Sequence, residues 1–314
     1  MHLLADIGGT NARFALLDAT SREPRDAMTL ATADFATLVD AVSHYLVRCG
    51  VRTVQDCAMA IATPILGDHI QMTNHHWAFS IEETRQRLGL TRLLVVNDFA
   101  ALAMSLPTLP RGELRQIGGG KPVSDAPLAL IGAGTGLGVS ALVPAGGRWV
   151  PIAGEGGHVT LCAGNEREAA IIAHCRARFG HVSAERLVSG PGIVNLHDAV
   201  AALAGASPVQ RTPAEITQHG QAGTDAICLE ALETFCGLLG AVAGNLVLTL
   251  GARGGLYIGG GIMPKLGPYF ERSPFRRRFE AKGRFSEYLA AIPAYVILSE
   301  YAALRGVASL FTDT

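Results

Sequence analysis

Residues 2–18, HLLADI-GGTN-ARFALLD, place two apolar runs on either side of a glycine-rich turn. Two short apolar runs joined by such a turn predict a β-hairpin. Residues 127–143, PLALI-GAGTG-LGVSALV, have the same make-up and come about 125 residues later in the chain. This internal repeat predicts two related halves, each of which presents one glycine-rich loop.

The rest of the sequence alternates short apolar runs with segments of helical spacing. Further strands are predicted at 27–31, 57–62, 93–96, 256–258 and 295–298. Helices are predicted at 35–47, 99–104, 166–179 and 302–311, with one long helix or two at 224–250. Strands that alternate with helices predict α/β layers with a mixed sheet in each half.

Composition and charge narrow the class of protein. Hydrophobic residues make up 49% of the 314 residues and charged residues 17%, which predicts a large core and excludes wholesale disorder. The net charge of −1 gives no electrostatic case for a nucleic-acid partner, and the basic segment 272–284 predicts a solvated helical face. Residues 236–252 are uncharged but shorter than the roughly 20 residues of a membrane span. We therefore expect no membrane partner, and a buried helix packed closely at Gly240 and Gly244.

The cysteines and histidines favour a reduced, cytoplasmic protein without structural zinc. The six cysteines are scattered and none forms a C-x-x-C pair. His158, Cys162, His174 and Cys175 are irregularly spaced, and the last two diverge by about 100° on a helix. The chain opens on a strand-like run with no basic segment, so we expect no signal peptide.

The first glycine loop has the chemistry of a phosphate site. Asp6 stands near the end of a strand and is followed by Gly8 and Gly9, whose backbone amides can form an anion nest, and by Thr10 and Asn11. The Asp6 carboxylate can hold Mg²⁺ through water, since that ion usually keeps several of its waters. The alternative for one such loop alone is a simple hairpin turn.

The second glycine loop, at 132–138, matches neither of the common nucleotide motifs. It lacks the Lys-Ser/Thr of a P-loop and the spacing of G-x-G-x-x-G, and a strand rather than a helix follows it. Two hairpin loops of similar make-up, one in each half, favour phosphate binding more than either does alone.

Several polar residues follow strands or lie between glycines, where a ligand can reach them. Asp98, after the strand at 93–96, could be a general base for a hydroxyl proton, or the N-cap of a helix beginning at Phe99, or both. Glu155, His158 and Glu185 suit a neutral ligand with many hydroxyls. The alternatives are a satisfied loop histidine for His158 and a surface ion pair near Arg186 for Glu185.

Motifs spread along nearly the whole chain carry a family resemblance. D-I-G-G-T-N at 6–11, G-A-G-T-G-L-G at 132–138 and Y-I-G-G-G-I at 257–262 resemble the two phosphate motifs and the adenosine motif of the actin, hexokinase and heat-shock chaperone superfamily. M-T-N-H-H-W at 72–77, N-D-F-A-A at 97–101, G-E-G-G-H at 154–158 and E-R-L-V-S-G-P-G at 185–192 are similar to those of the bacterial glucokinases.

This resemblance implies a fold and an activity. The fold is α/β, a duplicated actin-like ATPase (ribonuclease-H-like) fold with two domains around a cleft. Residues 1–108 with 299–314 would form the smaller domain and residues 109–298 the larger. The activity is the ATP-dependent phosphorylation of glucose to glucose 6-phosphate in cytoplasmic glycolysis, with ATP and Mg²⁺ as cofactors. A homodimer is the family expectation.

The resemblance also implies roles for individual residues. Asp98 falls on the position of the catalytic base, and the sugar-binding positions fall on Asn97, Asp98, Glu155, His158 and Glu185. The nucleotide positions fall on Asp6, Gly8, Gly9, Thr10, Asn11, Gly134, Thr135, Gly136, Gly259, Gly260 and Gly261. The cysteine-rich zinc motif of the related ROK kinases is missing, which favours the metal-free glucokinase branch.

Two other functions remain open from the sequence. One is a kinase for another hexose, with polyphosphate or ADP as further candidates for the donor. The other is a non-catalytic protein of the same fold that senses sugar or nucleotide. Asp98 discriminates against the second, because a sensor has no need of a base beside the sugar.

Overall fold

The computed structural model describes residues 1–18, 23–72, 75–207 and 209–311. Thr73 and Asn74 of the M-T-N-H-H-W motif, and residues 312–314 of the smaller predicted domain, lie outside the described residues. Contacts divide the chain into two compact units. Unit 1 comprises Met1–Pro110, Trp149–Ala153 and Ser299–Thr314, and unit 2 comprises Arg111–Arg148 and Gly154–Leu298.

Strands and helices alternate along much of the chain, as the sequence predicts. The strands are β1 (His2–Ile7), β2 (Asn11–Leu17), β3 (Arg25–Ala31), β4 (Asp56–Ile61), β5 (His69–Gln71), β6 (Ala78–Ser80), β7 (Arg92–Asn97), β8 (Leu114–Ile117), β9 (Leu128–Ala133), β10 (Leu137–Ala145), β11 (Arg148–Gly154), β12 (Gly255–Gly259) and β13 (Ala294–Ile297). The α-helices are α1 (Leu38–Arg48), α2 (Ile81–Arg87), α3 (Asp98–Ser105), α4 (Glu166–Phe179), α5 (Ala184–Leu187), α6 (Gly190–Leu203), α7 (Pro213–Ala222), α8 (Ala226–Leu250), α9 (Ile262–Leu266), α10 (Pro268–Arg272), α11 (Phe275–Glu280), α12 (Ser286–Ala290) and α13 (Ala302–Ser309).

Unit 1 is built on a five-stranded sheet in the order β3-β2-β1-β4-β7. The β1–β2–β3 segment is an antiparallel meander, and β4 and β7 continue the sheet parallel to β1. Successive residues of β1 point to opposite faces, so that Leu3 packs in a cluster with α1 while Leu4 packs with α3 and α13. Helices on both faces make β1 a strand that is buried on both sides.

Unit 2 repeats this arrangement around β9. The hairpin β9–β10 is antiparallel, and β12 and β13 follow β9 as parallel neighbours, with β8 antiparallel at the edge. Within unit 2 the strand order is β10-β9-β12-β13-β8. A glycine hairpin followed by parallel strands therefore occurs in both units, which confirms the duplicated α/β fold.

The long apolar segment forms one helix, α8, that lies in the core of unit 2. It is long and apolar enough to cross a membrane, but 61% of its most apolar window is buried inside the protein. A side chain at Gly240 or Gly244 would overlap the carbonyl of Phe275 or Phe279 on α11. The expected buried helix with close packing at these glycines is confirmed.

The basic segment 272–284 differs from the solvated helical face that its composition predicts. Arg276 donates hydrogen bonds to the carbonyl oxygens of Ile292 (2.9 Å) and Ala290 (3.0 Å), and also pairs with Glu280. Arg278 pairs with the buried Glu168 at 2.8 Å. The prediction is wrong for these two arginines, because their guanidinium groups bind backbone carbonyls and a buried carboxylate. The periodicity of the sequence does not reveal these partners.

Candidate active site

The first glycine loop is a tight turn between β1 and β2. The Gly8 amide donates to the Asn11 carbonyl at 2.9 Å and closes the turn. Thr32, which is buried, donates from its amide to the Thr10 carbonyl (3.0 Å) and from its hydroxyl to the Gly9 carbonyl (2.9 Å). These bonds fix the shape of the loop, and the amides of Gly9 and Thr10 are the donors that a bound phosphate would need.

Asp6 is paired with Arg13, a partner that the sequence analysis missed. The two residues are directly opposite each other in the β1–β2 register, and Arg13 Nη1 lies 3.2 Å from Asp6 Oδ2. Burial raises the pKa of the Asp6 carboxyl, since its side chain is only 15% exposed, and Arg13 opposes that rise. The sequence could have predicted this ion pair, because Asp6 and Arg13 are equally far from the centre of the turn and therefore lie opposite each other in the hairpin.

Asn97, and not Asp98, is the N-cap of α3. Asn97 has an extended backbone, and its Oδ1 accepts from the amides of Phe99 (3.0 Å) and Ala100 (3.2 Å). Asp98 is the first helical residue, and its Oδ1 accepts from the Phe99 amide at 2.9 Å. The prediction that Asp98 caps a helix beginning at Phe99 is wrong by one residue. The helix begins at Asp98, so the residue before it, Asn97, is the cap. Asp98 is half-buried.

The strand register of unit 1 brings the first glycine loop and Asp98 to one edge of the sheet. Ile7 of β1 pairs with Ile61 of β4, which pairs with Asn97 of β7. The three parallel strands therefore end side by side. The ends of β1 and β7 are two strand spacings apart, which is about 10 Å. The carboxyl edge of parallel strands is where α/β proteins bind their ligands.

The second glycine loop and the predicted adenosine motif meet in unit 2. The Gly134 amide donates to the Gly136 carbonyl at 2.8 Å, and Thr135 at the tip is exposed. Gly132 and Gly259 are paired in the parallel register of β9 and β12, so both segments leave the sheet at one edge. Gly260 has φ +82°, and a side chain there would overlap the Ala133 carbonyl. The chain packs too closely at this point for any residue but glycine.

Glu155 and His158 are exposed on a short turn of unit 2. Glu155 precedes the 3₁₀ turn Gly156–His158, and the His158 amide donates to the Glu155 carbonyl at 3.0 Å. Their side chains are 62% and 60% exposed, with Oε2 and Nε2 separated by 4.0 Å. Both groups are thus accessible to a ligand, and no hydrogen bond to the His158 ring occurs among the described residues, which disfavours the satisfied loop histidine of the alternative interpretation.

Glu185 contacts the end of the second glycine loop. It lies on α5, whose N-cap is Ser183, and its Oε2 accepts from the Leu137 amide at 2.9 Å. Within the described part of the chain Glu185 forms no ion pair, and the Arg186 guanidinium instead lies over the ring of Phe179 at 4.4 Å. The surface ion pair considered for Glu185 is therefore not formed.

A sheet that occurs twice, with a glycine hairpin loop at the carboxyl edge of each copy, is the architecture of the actin-like ATPase fold, which includes sugar kinases. The family model described as Glucokinase matches residues 3–314. The chain belongs to the glucokinase family.

Relatives of known name agree with this assignment. A glucokinase of Chromobacterium violaceum is 58% identical over 311 residues, which cover 99% of this chain and 89% of that protein. A glucokinase of Aromatoleum aromaticum is also 58% identical, over 98% of this chain and 93% of its own length. The solved structure of a glucokinase from an Antarctic psychrotroph has a TM-score of 0.90 at 35% identity, and the match covers 100% of this chain and 99% of that one.

Proposed function

We propose that this protein transfers the γ-phosphate of ATP to the 6-hydroxyl of glucose, with Asp98 as the general base. Membership of the glucokinase family supports the reaction. The observation that carries the role of Asp98 is its position as the first residue of α3, at the sheet edge that also bears the first glycine loop.

Asp98 would take the proton of the sugar hydroxyl. Its bond to the Phe99 amide restrains the rotation of the carboxylate. As the bond from O6 of the sugar to the γ-phosphorus forms, the proton passes to Asp98, and the bond from phosphorus to the β-phosphate oxygen breaks to release ADP. General-base catalysis of this kind contributes about 10²–10⁴-fold to the rate.

Asn97, Glu155, His158 and Glu185 would hold the sugar. Asn97 uses Oδ1 to cap α3, while its Nδ2 lies 3.5 Å from the Thr63 carbonyl, so its amide nitrogen is the group suited to donate to a hydroxyl. The two carboxylates would accept from hydroxyls. A site that bonds each hydroxyl discriminates against analogues that lack one, because its own polar groups are then left unpaired.

The two glycine loops would bind the phosphates of ATP through the amides of residues 9–10 and 135–136, because the Gly8 and Gly134 amides close the two turns. Residues 259–261 would lie against adenosine. Phosphoryl transfer depends mainly on positioning and charge stabilisation, which such amides supply.

The residues near the first loop fit Mg²⁺ held mainly by water and phosphate oxygens. Asp6 supplies hard oxygen ligands, and one of these is shared with Arg13. No cluster of three or more acidic, histidine or cysteine side chains suited to a metal occurs among the described residues. Asp6, with Asn11 and Thr10 beside it, would hold the ion through water, and the ion would neutralise charge on the transferred phosphate.

We also propose that the enzyme works in the cytoplasm. The six cysteines are all free thiols, and four of them are buried. A reducing compartment keeps such thiols unpaired.

A coupled assay tests the proposal. Initial rates are measured with glucose, fructose, mannose and glucosamine as acceptors, and with ATP, ADP and polyphosphate as donors, at fixed Mg²⁺. We expect the highest kcat/KM with glucose and ATP. A higher value for another hexose would make it a kinase for that sugar, and the absence of turnover with every pair would favour a sensor.

A further inference from the structure

We infer that Glu185 is a positioning residue that couples sugar binding to the second glycine loop through the peptide of Leu137. The inference rests on the proposed function, because it takes Glu185 as a sugar ligand and residues 134–136 as a phosphate site. The inference adds a direct connection between the sugar site and the phosphate site, through the hydrogen bond from the Leu137 amide to Glu185.

The register of the β9–β10 hairpin leaves the Leu137 amide available to Glu185. The Gly134 amide donates to the Gly136 carbonyl, and hydrogen-bonded pairs alternate with non-hydrogen-bonded pairs in an antiparallel ladder. Ala133 and Leu137 are therefore a non-hydrogen-bonded pair, and the Leu137 amide points away from β9. Glu185 Oε2 accepts from this amide at 2.9 Å.

Glu185 has a second oxygen for the sugar. A carboxylate offers about four acceptor sites on two oxygens. Among the described residues, the Leu137 amide is the one hydrogen-bond donor to Glu185. The same side chain can thus accept from a sugar hydroxyl through Oε1 while Oε2 holds the end of the glycine loop.

The segment that carries Glu155 and His158 packs against the same residue, Leu137, at its carbonyl group. Gly157 packs so closely on Leu137 that a side chain there would overlap the Leu137 carbonyl. The Leu137 amide thus donates to Glu185, while the Leu137 carbonyl packs against the turn between Glu155 and His158.

Backbone hydrogen bonds join these elements into one unit. The Leu161 amide donates to the Val182 carbonyl (3.0 Å), and the Ala184 amide donates to the Val159 carbonyl (2.9 Å). The segment after His158 is therefore paired with the segment before Glu185. A change in position of either sugar-binding element is transmitted to the end of the second glycine loop.

Occupation by sugar should consequently tighten nucleotide binding. A sugar hydroxyl on Oε1 restricts the rotation of Glu185, which fixes the Leu137 amide and the loop before it. A nucleotide that binds the ordered loop then loses less conformational freedom. Coupling is reciprocal, and a factor of about 5–10 lies within the usual range.

The test measures the affinity for Mg²⁺-AMPPNP, a non-hydrolysable ATP analogue, by calorimetry with and without saturating glucose. Wild type should bind it about fivefold more tightly with glucose. Glu185→Ala should bind it more weakly than wild type even without sugar. Glu185→Gln, which keeps an acceptor oxygen, should retain the sugar-free affinity. His158→Ala is the matched control, since it removes a sugar contact and leaves the Leu137 bond intact.

A second readout follows the bond itself and is independent of the identity of the substrate. Hydrogen exchange of the Leu137 amide, measured by NMR in proteins of verified fold, should accelerate in Glu185→Ala and not in His158→Ala or Glu185→Gln. Unchanged exchange together with wild-type sugar-free affinity in Glu185→Ala would overturn the inference, as would wild-type affinity that does not respond to glucose. Failure of the proposed function would appear separately, as absent glucose turnover in the wild type.

Discussion

Asp98→Asn should separate catalysis from stability. Asparagine keeps an Oδ1 that can accept from the Phe99 amide, so the local hydrogen bond of 2.9 Å survives. What the substitution removes is a negative charge at the first helical position of α3, where a carboxylate contributes about 0.3–1 kcal/mol through the helix dipole. The capping bonds of Asn97 to two amides are untouched. We therefore expect the free energy of unfolding to fall by no more than about 1 kcal/mol.

The loss of activity should be far larger. Removal of a general base costs about 10²–10⁴-fold in kcat, which corresponds to roughly 3–5 kcal/mol at the transition state. The assay is the initial rate of glucose 6-phosphate formation at saturating ATP and glucose, with urea unfolding of the same preparation. KM for glucose should change little if Asp98 acts chiefly in the transition state.

Glu166→Gln is a matched control for Asp98→Asn. Glu166 is the first residue of α4, so Glu166→Gln removes a carboxylate from the equivalent helical position. It should cost the same small amount of stability and leave kcat unchanged. Asn97→Ala should cost more stability than Asp98→Asn, about 1–2 kcal/mol, because α3 loses its N-cap. If Asp98→Asn retains more than about a tenth of the wild-type kcat while folded, the general-base role is wrong.

The remaining predictions concern stability, pH and metal. Glu168→Ala leaves Arg278 partly buried without its partner, and should lower the free energy of unfolding by about 3 kcal/mol in urea titrations; a loss below about 1 kcal/mol would contradict a buried pair. Arg92 holds the pKa of the buried Asp56 below its usual range, so the stability it adds is present above about pH 4 and lost as pH falls through the folded-state pKa. The difference in unfolding free energy between wild type and Asp56→Asn should accordingly shrink below pH 4, and a constant difference from pH 7 to pH 3 would refute this. Excess chelator should abolish turnover, and Asp6→Ala should raise the Mg²⁺ concentration needed for half-maximal rate; an unchanged Mg²⁺ dependence would exclude Asp6 as a metal-site residue.

Local signals predicted most of the fold correctly. A glycine turn between apolar runs is sufficient to predict a hairpin, and both hairpins form as expected. The N-caps of α4 and α7, Asn165 and Thr212, are likewise local signals, because a capping residue acts within one helical turn. Helix α1 begins at Leu38 rather than at residue 35, because Thr37 and Asp40 form a capping box that apolar spacing alone does not reveal.

The candidate site was less predictable because its geometry depends on contacts between distant residues. The Asp6–Arg13 pair could have been read from the hairpin, since the partners are seven residues apart around one turn. The bond from Leu137 to Glu185 joins residues 48 positions apart, and the pair of Glu168 with Arg278 spans 110. No periodicity in the sequence encodes such pairings.

The structure therefore changes the meaning of a residue that the sequence had already selected. As a sequence motif, Glu185 is one of several polar groups suited to a sugar. In the fold, its carboxylate also accepts a hydrogen bond from the amide of Leu137, at the end of the second glycine loop. Gly157 packs closely against the carbonyl of the same Leu137. A kinase must avoid transferring phosphate to water when no sugar is bound, and a loop that is fully ordered only with sugar in place would serve that purpose. The preference of such an enzyme for sugar over water as the phosphate acceptor would then depend partly on the backbone amide of Leu137. Substitution of Leu137 by another large apolar residue would leave that amide intact.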